Sequence, residues 1–145
     1  MVGAMRHASL LVAPVLVLAL SGCASRGPAE GGRVFPATTP QSSVADVHVF
    51  RDGTSIRLTN STGRSFGPCV LWINRAFSRE LPGLAVGETL ELDLREFVDE
   101  HGARFRAGGF FSTEPPKRVV LVQIAETAQD GATTLTGFIA IAEAE

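Results

Sequence analysis

The chain has 145 residues, 45% of them hydrophobic, and a formal net charge of −2, which bounds it to one small globular unit. Its 13 Lys and Arg are outnumbered by 15 Asp and Glu and form no basic block, so nucleic-acid binding has no electrostatic basis. A sugar-stacking platform is disfavoured too, because the chain has no Tyr and a single Trp.

Leu10 to Leu20 is apolar and broken only by Pro14. Its length falls within the roughly 7 to 15 residues of an export-signal core. A membrane-spanning helix needs about 20, and here Ser21, Gly22 and a Gly/Pro-rich stretch end the run. It closes on Leu20-Ser21-Gly22-Cys23. An aliphatic residue, two small residues and a cysteine at this place resemble the lipobox of bacterial lipoproteins. The resemblance covers residues 1–23. It implies a cleaved signal peptide over 1–22, lipidation of Cys23 as the mature N-terminus, and the membrane as a partner through that lipid. Two or more acyl chains anchor stably at about 0.8 kcal/mol per buried CH₂. Ala24, not Asp, follows the cysteine. In the enteric sorting pattern this directs the protein to the bacterial cell envelope, lipid-anchored at the periplasmic face of the outer membrane. Loss of Arg6 with the signal leaves 12 basic against 15 acidic residues.

Residues 24–45 are rich in Gly, Pro, Ser and Thr with no apolar period, so the lipidated Cys23 and the segment to 45 are expected as a disordered tether. A domain is expected over 46–145. From Asp46 the apolar pattern has period two: Val47 and Val49 flank His48, Ile56 and Leu58 flank Arg57, and Leu90, Leu92 and Leu94 alternate with polar residues. Asp52-Gly53 and Asp130-Gly131 predict hairpins. Cys69 to Ile73 and Phe77 to Leu81 read as short strands around Asn74-Arg75, with Pro82-Gly83 closing the second. Leu94 to His101, stopped by Gly102, suggests one short helical turn, and Arg104 to Phe111 an irregular strand. The run from Val119 to Ala125 is apolar on both faces near its start and predicts a central strand; the last strand is expected over 134–142. About seven or eight strands in roughly 100 residues predict an all-β domain, a single antiparallel immunoglobulin-like β-sandwich, with a small β-barrel as the alternative.

Gly63-Arg64-Ser65-Phe66-Gly67 fits the nucleophile-elbow pattern, but the elbow needs a strand before the serine and a helix after it. Pro68 and a β-type run follow instead. A hydrolase using Ser65 with His101 is therefore the lesser alternative, beside a thiol or metal function at Cys69. Cys69 has no intramolecular disulfide partner once Cys23 is lipidated. His48, His101 and Cys69 show no ligand spacing, so no metal site and no cofactor are expected. Asn60-Ser61-Thr62 is a glycosylation sequon, with no expected consequence if the chain is a bacterial lipoprotein as the lipobox resemblance implies.

The candidate binding residues are Trp72, Arg75, Arg79, Arg104, Arg106 and Phe110, with Phe77 and Phe111 beside them. Alternation puts Arg104 and Arg106 on one face and Phe105 on the other, so two guanidiniums can present together to a carboxylate or phosphate. Gly108-Gly109 lets the backbone bend before the phenylalanines. The expected function is a non-enzymatic binding or interaction domain held at the membrane. Its expected partner is another envelope protein or a small ligand, met by loops, a sheet face or an edge strand.

Overall fold

Alternation in the first apolar stretch becomes a hairpin. In the computed structural model, which describes residues 31–141, β1 (Gln41–Asp52) and β2 (Ser55–Asn60) pair antiparallel with Val49 opposite Leu58. Gly53 turns the chain with a φ of 55°, the left-handed conformation a two-residue hairpin needs. Val47, Val49, Ile56 and Leu58 are buried while His48, Arg57 and Thr59 face solvent. β3 (Cys69–Ile73) and β4 (Phe77–Leu81) make the second hairpin, and β5 (Thr89–Asp93) pairs with β2. A 3₁₀ turn over Leu94–Glu96 follows, its N–H at Arg95 capped by the Asp93 side chain. β6 (Val122–Thr127) and β7 (Thr133–Ile141) form the third hairpin, turned at Gly131 (φ 84°).

All seven strands belong to one hydrogen-bonded sheet in the order β4-β3-β6-β7-β1-β2-β5, curled into a half-barrel. The domain is all-β as expected, but its sheet is mixed. β1 pairs antiparallel with β2 on one side and parallel with β7 on the other, with shifts of register between Gln41 and Ser43 and between Val44 and His48. The reason lies in the length of β1: its irregular first half follows β7, and its regular second half lies between β2 and β7. One cluster on the concave face joins both halves of the sheet. Val47, Ile56, Leu58 and Leu92 come from one half, Leu71, Ile73, Val122, Ile124 and Phe138 from the other, and Phe66, Phe97 and Phe105 close the cluster from the connections.

Three expectations about boundaries change. Residues 31–40, expected as tether, form a strap across the convex face of the sheet. Gly32 N–H donates to the Asp99 carbonyl at 2.7 Å, Arg33 pairs with Glu80, and Phe35 stands edge-on to Trp72 at 5.1 Å. A Cβ at Gly32 would lie 2.5 Å from the Val98 carbonyl oxygen, so only glycine fits this approach. β1 then begins at Gln41, five positions before the expected boundary at 46. The central strand β6 does lie between β3 and β7, but it starts at Val122, and Val120 is exposed. The Asn74 side chain takes the N–H groups of Val120 and Leu121 and donates to the Arg118 carbonyl, which holds 118–121 off the ladder. Arg104 to Phe111 is not a named strand; it touches the sheet region through a bridge between Val98 and Arg104 and the bond from Phe105 N–H to the Phe97 carbonyl. The lipobox and the end of the last expected strand, 142, lie outside the described residues.

The sequon asparagine turns out to be structural. Asn60 is fully buried; its amide donates to the carbonyls of Arg64 and Leu84, and its Oδ1 accepts from Thr62 N–H and Thr62 Oγ1. Its backbone also bonds to Glu88 and Gly87, so one residue ties the β2–β3 loop to the β4–β5 loop. Removing a buried side chain that satisfies several groups costs about 1–3 kcal/mol. Asn60→Ala is expected to lower the unfolding free energy by about 2–3 kcal/mol in a urea titration, and Asn60→Asp should lose at least as much at neutral pH, because it turns a buried carboxylate oxygen toward the carbonyls of Arg64 and Leu84 where Nδ2 now donates.

Candidate functional site

Strand directions divide the connections between two ends of the sheet. β1, β3, β5 and β7 finish, and β2, β4 and β6 begin, at one end. This end carries the β1–β2 and β3–β4 turns and the longest connection, from Leu94 to Leu121. The other end carries the loops over 61–68, 82–88 and 128–132.

The long connection is pinned from beneath and open above. Phe97, Phe105 and Ala107 are buried in the core, and Phe105 stacks edge-on to Phe77 at 5.1 Å. Alternation then puts Arg104 and Arg106 outward, as the sequence predicts. Arg51 reaches from β1 to the loop, donating through Nη2 to the Ala107 carbonyl at 2.7 Å and through Nη1 to the Lys117 carbonyl at 2.6 Å. These two bonds clamp the base of the segment 108–116. Gly108 and Gly109 take φ of 85° and 128°, which side chains rarely adopt, and lift the chain away from the sheet. At the crest stand Phe110 and Phe111, 95% and 92% exposed, with ring centroids 5.0 Å apart and edge-to-face.

The predicted binding residues do not form one cluster. Trp72 lies buried on the convex face beneath Phe35, and Arg75, at the β3–β4 turn, sits 5.8 Å over the same Phe35 ring. Arg75 and Asn74 both hold left-handed φ, 57° and 53°; the asparagine tolerates this more readily than the arginine. Arg79 faces the other side of the sheet. Trp72 is opposite Ser78 in the ladder, so Arg79, one residue on, points to the concave side, where its Nη1 lies 2.6 Å from Glu96 Oε2. Although that distance makes an ion pair, the angle does not make a hydrogen bond. Arg106 pairs with Glu114, while Arg104 and Arg118 have no carboxylate partner among the described residues. Arg75, Arg104, Arg106 and Phe110 thus share one end of the sheet. Trp72 and Arg79 serve the strap and the β4 edge. Sequence reasoning missed Arg51, which carries no local motif, and Phe35, hidden in a Gly/Pro-rich stretch.

Ser65 and His101 lie at opposite ends of the sheet: Ser65 in the loop ahead of β3, accepting from Val86 N–H at 3.2 Å, and His101 beside Glu100 in the long connection. The pairing required for a Ser–His hydrolase is not formed. Among the described residues, no three His, Cys, Asp or Glu side chains converge as a metal site. His48 faces outward beside Asp46. Arg95 bonds to Asp93 and holds that carboxyl below its usual range, against an opposing effect of burial. Comparison of the chain with protein-family models, with curated proteins and with solved structures returned no match.

Cys69 is buried in the core at the start of β3. Burial, with the Glu126 carboxylate adding to it, pushes its thiol up to about 12. The thiolate is the nucleophile, so this environment suppresses thiol chemistry. In native protein at pH 8 the Cys69 peptide is expected to resist iodoacetamide, and to react fully in guanidinium, as read by peptide mass mapping. Because the unfolded thiol ionises near 9.0 and the folded one near 12, stability should fall as pH rises through that window, by up to about 1.4 kcal/mol per pH unit. Cys69→Ala should flatten the alkaline arm.

Proposed function

We propose that this chain is a bacterial envelope lipoprotein, anchored through Cys23 at the periplasmic face of the outer membrane, whose immunoglobulin-like domain is a non-catalytic binding module. Two features support the immunoglobulin-like reading. The single curled sheet can be divided at β1 into a part with β1, β2 and β5 and a part with β3, β6 and β7, extended by β4, and both parts contribute to one apolar core. β1 belongs to both groups through its two pairings. The anchor is supported by Leu20-Ser21-Gly22-Cys23 at the end of the apolar run.

The observation that carries the binding reading is the long connection at this end of the sheet, which exposes Arg104, Arg106 (paired with Glu114), Lys117 (its Nζ over the Phe77 ring) and Arg118 together with two fully presented phenylalanines. Outward guanidiniums recognise carboxylate or phosphate oxygens through paired N–H donors. The loop that presents them is braced by Arg51 and by buried Phe105, so little order has to be gained on binding. The ligand or envelope partner therefore carries an anionic group. The two sheet edges are less suited to strand addition: β4 is covered by the Ser78–Val98 bridge and the Arg33–Glu80 pair, and β5 carries the exposed Glu91.

Crosslinking in cells followed by purification tests this surface. Arg104→Glu combined with Arg106→Glu is expected to reduce the recovered adduct at least about tenfold, equivalent to about 1.4 kcal/mol, with the thermal transition unchanged. Undiminished adduct with an intact fold would remove the surface from the proposal.

A further inference from the structure

We infer that the Phe110–Phe111 loop inserts into the lipid surface to which the chain is anchored, giving the domain a second membrane contact and turning its loop-bearing end toward the bilayer. The inference rests on the anchored reading above and deepens it by naming the occupant of that end.

Four observations carry it. First, the two rings are 95% and 92% exposed and contact each other edge-on, forming one apolar wedge on a raised loop. Contiguous apolar projections of this kind mark a partner surface. Their exposure is built in: Gly108 and Gly109 lift them, Pro116 packs beside Gly108, and Arg51 fixes both ends of the loop.

Second, other exposed large hydrophobics gather at the same end. Phe50, Val120 and Ile141 join Phe110 and Phe111 there, whereas Val44 and Val86 lie toward the opposite end and Val34 on the strap. Third, the flank is cationic. Arg104, Lys117 and Arg118 are exposed; the loop's own carboxylate, Glu114, is taken up by Arg106, and the acids farther along this end, Asp93 and Glu96, are paired with Arg95 and Arg79. Asp52, Asp99 and Glu100 also lie at this end, and Asp99 is occupied in accepting the N–H groups of His101 and Ala103. An apolar wedge with a basic rim suits the boundary between acyl chains and anionic headgroups.

Fourth, the chain enters the domain at this end. Gly31 and Gly32 dock against the Val98–Gly102 turn, and Cys23 precedes Gly31 by eight positions. Eight residues span at most about 28 Å even when fully extended. A lipid on Cys23 therefore keeps the bilayer within that reach of the loop-bearing end.

The full chain, purified with its native N-terminus and reconstituted into phosphatidylethanolamine/phosphatidylglycerol vesicles containing acyl-brominated lipid, provides the test. Phe110→Trp is the reporter, Val86→Trp the control at the opposite end, and the wild-type signal of Trp72 is subtracted. The inference expects a blue-shifted reporter emission quenched at least about twofold by bromine, with the control unquenched. Solvent-like, unquenched emission overturns it, as does equal quenching at both positions. A blue shift without bromine quenching overturns it as well, pointing to a second copy of the chain on the loop. The mass of the N-terminal peptide separates the two readings: acylated Cys23 with an unquenched reporter defeats the loop alone. Unmodified Cys23 defeats the anchor, and the quenching then decides the loop on its own.

Discussion

The structure depends on one strand having two partners. β1 gives its backbone groups to β2 on one side and β7 on the other, and without it the sheet separates into β2-β5 and β4-β3-β6-β7. Each half alone would expose one wall of the core: Ile56, Leu58 and Leu92 on the first, Leu71, Ile124 and Phe138 on the second. Fully burying a side chain of this kind contributes about 1.5–3 kcal/mol, so the common core is available only while β1 keeps the halves together. The same strand contributes Arg51, whose guanidinium clamps the long connection at Ala107 and Lys117. Fold and candidate surface are thus coupled through a single element.

The strap is the second consequence. The convex face of β3, β6 and β7 carries Trp72, Ala125 and Leu135, a small apolar cluster that would face water if residues 31–40 were free. Phe35 covers Trp72, and an aromatic pair of this geometry adds about 0.5–1.5 kcal/mol beyond burial. Because the strap enters beside Asp99 and leaves at Gln41, the reach proposed for the tether shrinks to the residues between Cys23 and Gly31. A shorter reach restricts how the domain can be turned with respect to an anchor, which gives the exposed phenylalanines their proposed direction.

Much of the sheet was legible because its cause is local. Period-two alternation in Val47–Val49, Ile56–Leu58 and Leu90–Leu92 reports one buried face, and Gly53, Asn74 and Gly131 mark turns that need left-handed φ. The parallel pairing of β1 with β7 joins Gln41 to Leu135, and no local pattern encodes a contact between residues so distant in sequence. The strap was hidden for a similar reason: Gly, Pro and Thr read as tether, while what orders the segment is Trp72 on another strand. Val119–Leu121 looked like strand because it is apolar, but the N–H groups of Val120 and Leu121 go to the Asn74 side chain. The candidate binding group was only half legible. Alternation placed Arg104 and Arg106 correctly, yet ladder register, with Trp72 opposite Ser78, sends Arg79 to the other face.

The central claim, that β1 holds both halves of the domain as one cooperative unit, is tested most directly by native-state hydrogen exchange. Amides of Val47 to Phe50 are expected to exchange only through global unfolding, with the same opening free energy as those of Leu71 and Ile124. Exchange of the β1 amides through a lower-energy opening, with β3 and β6 still protected, would contradict it.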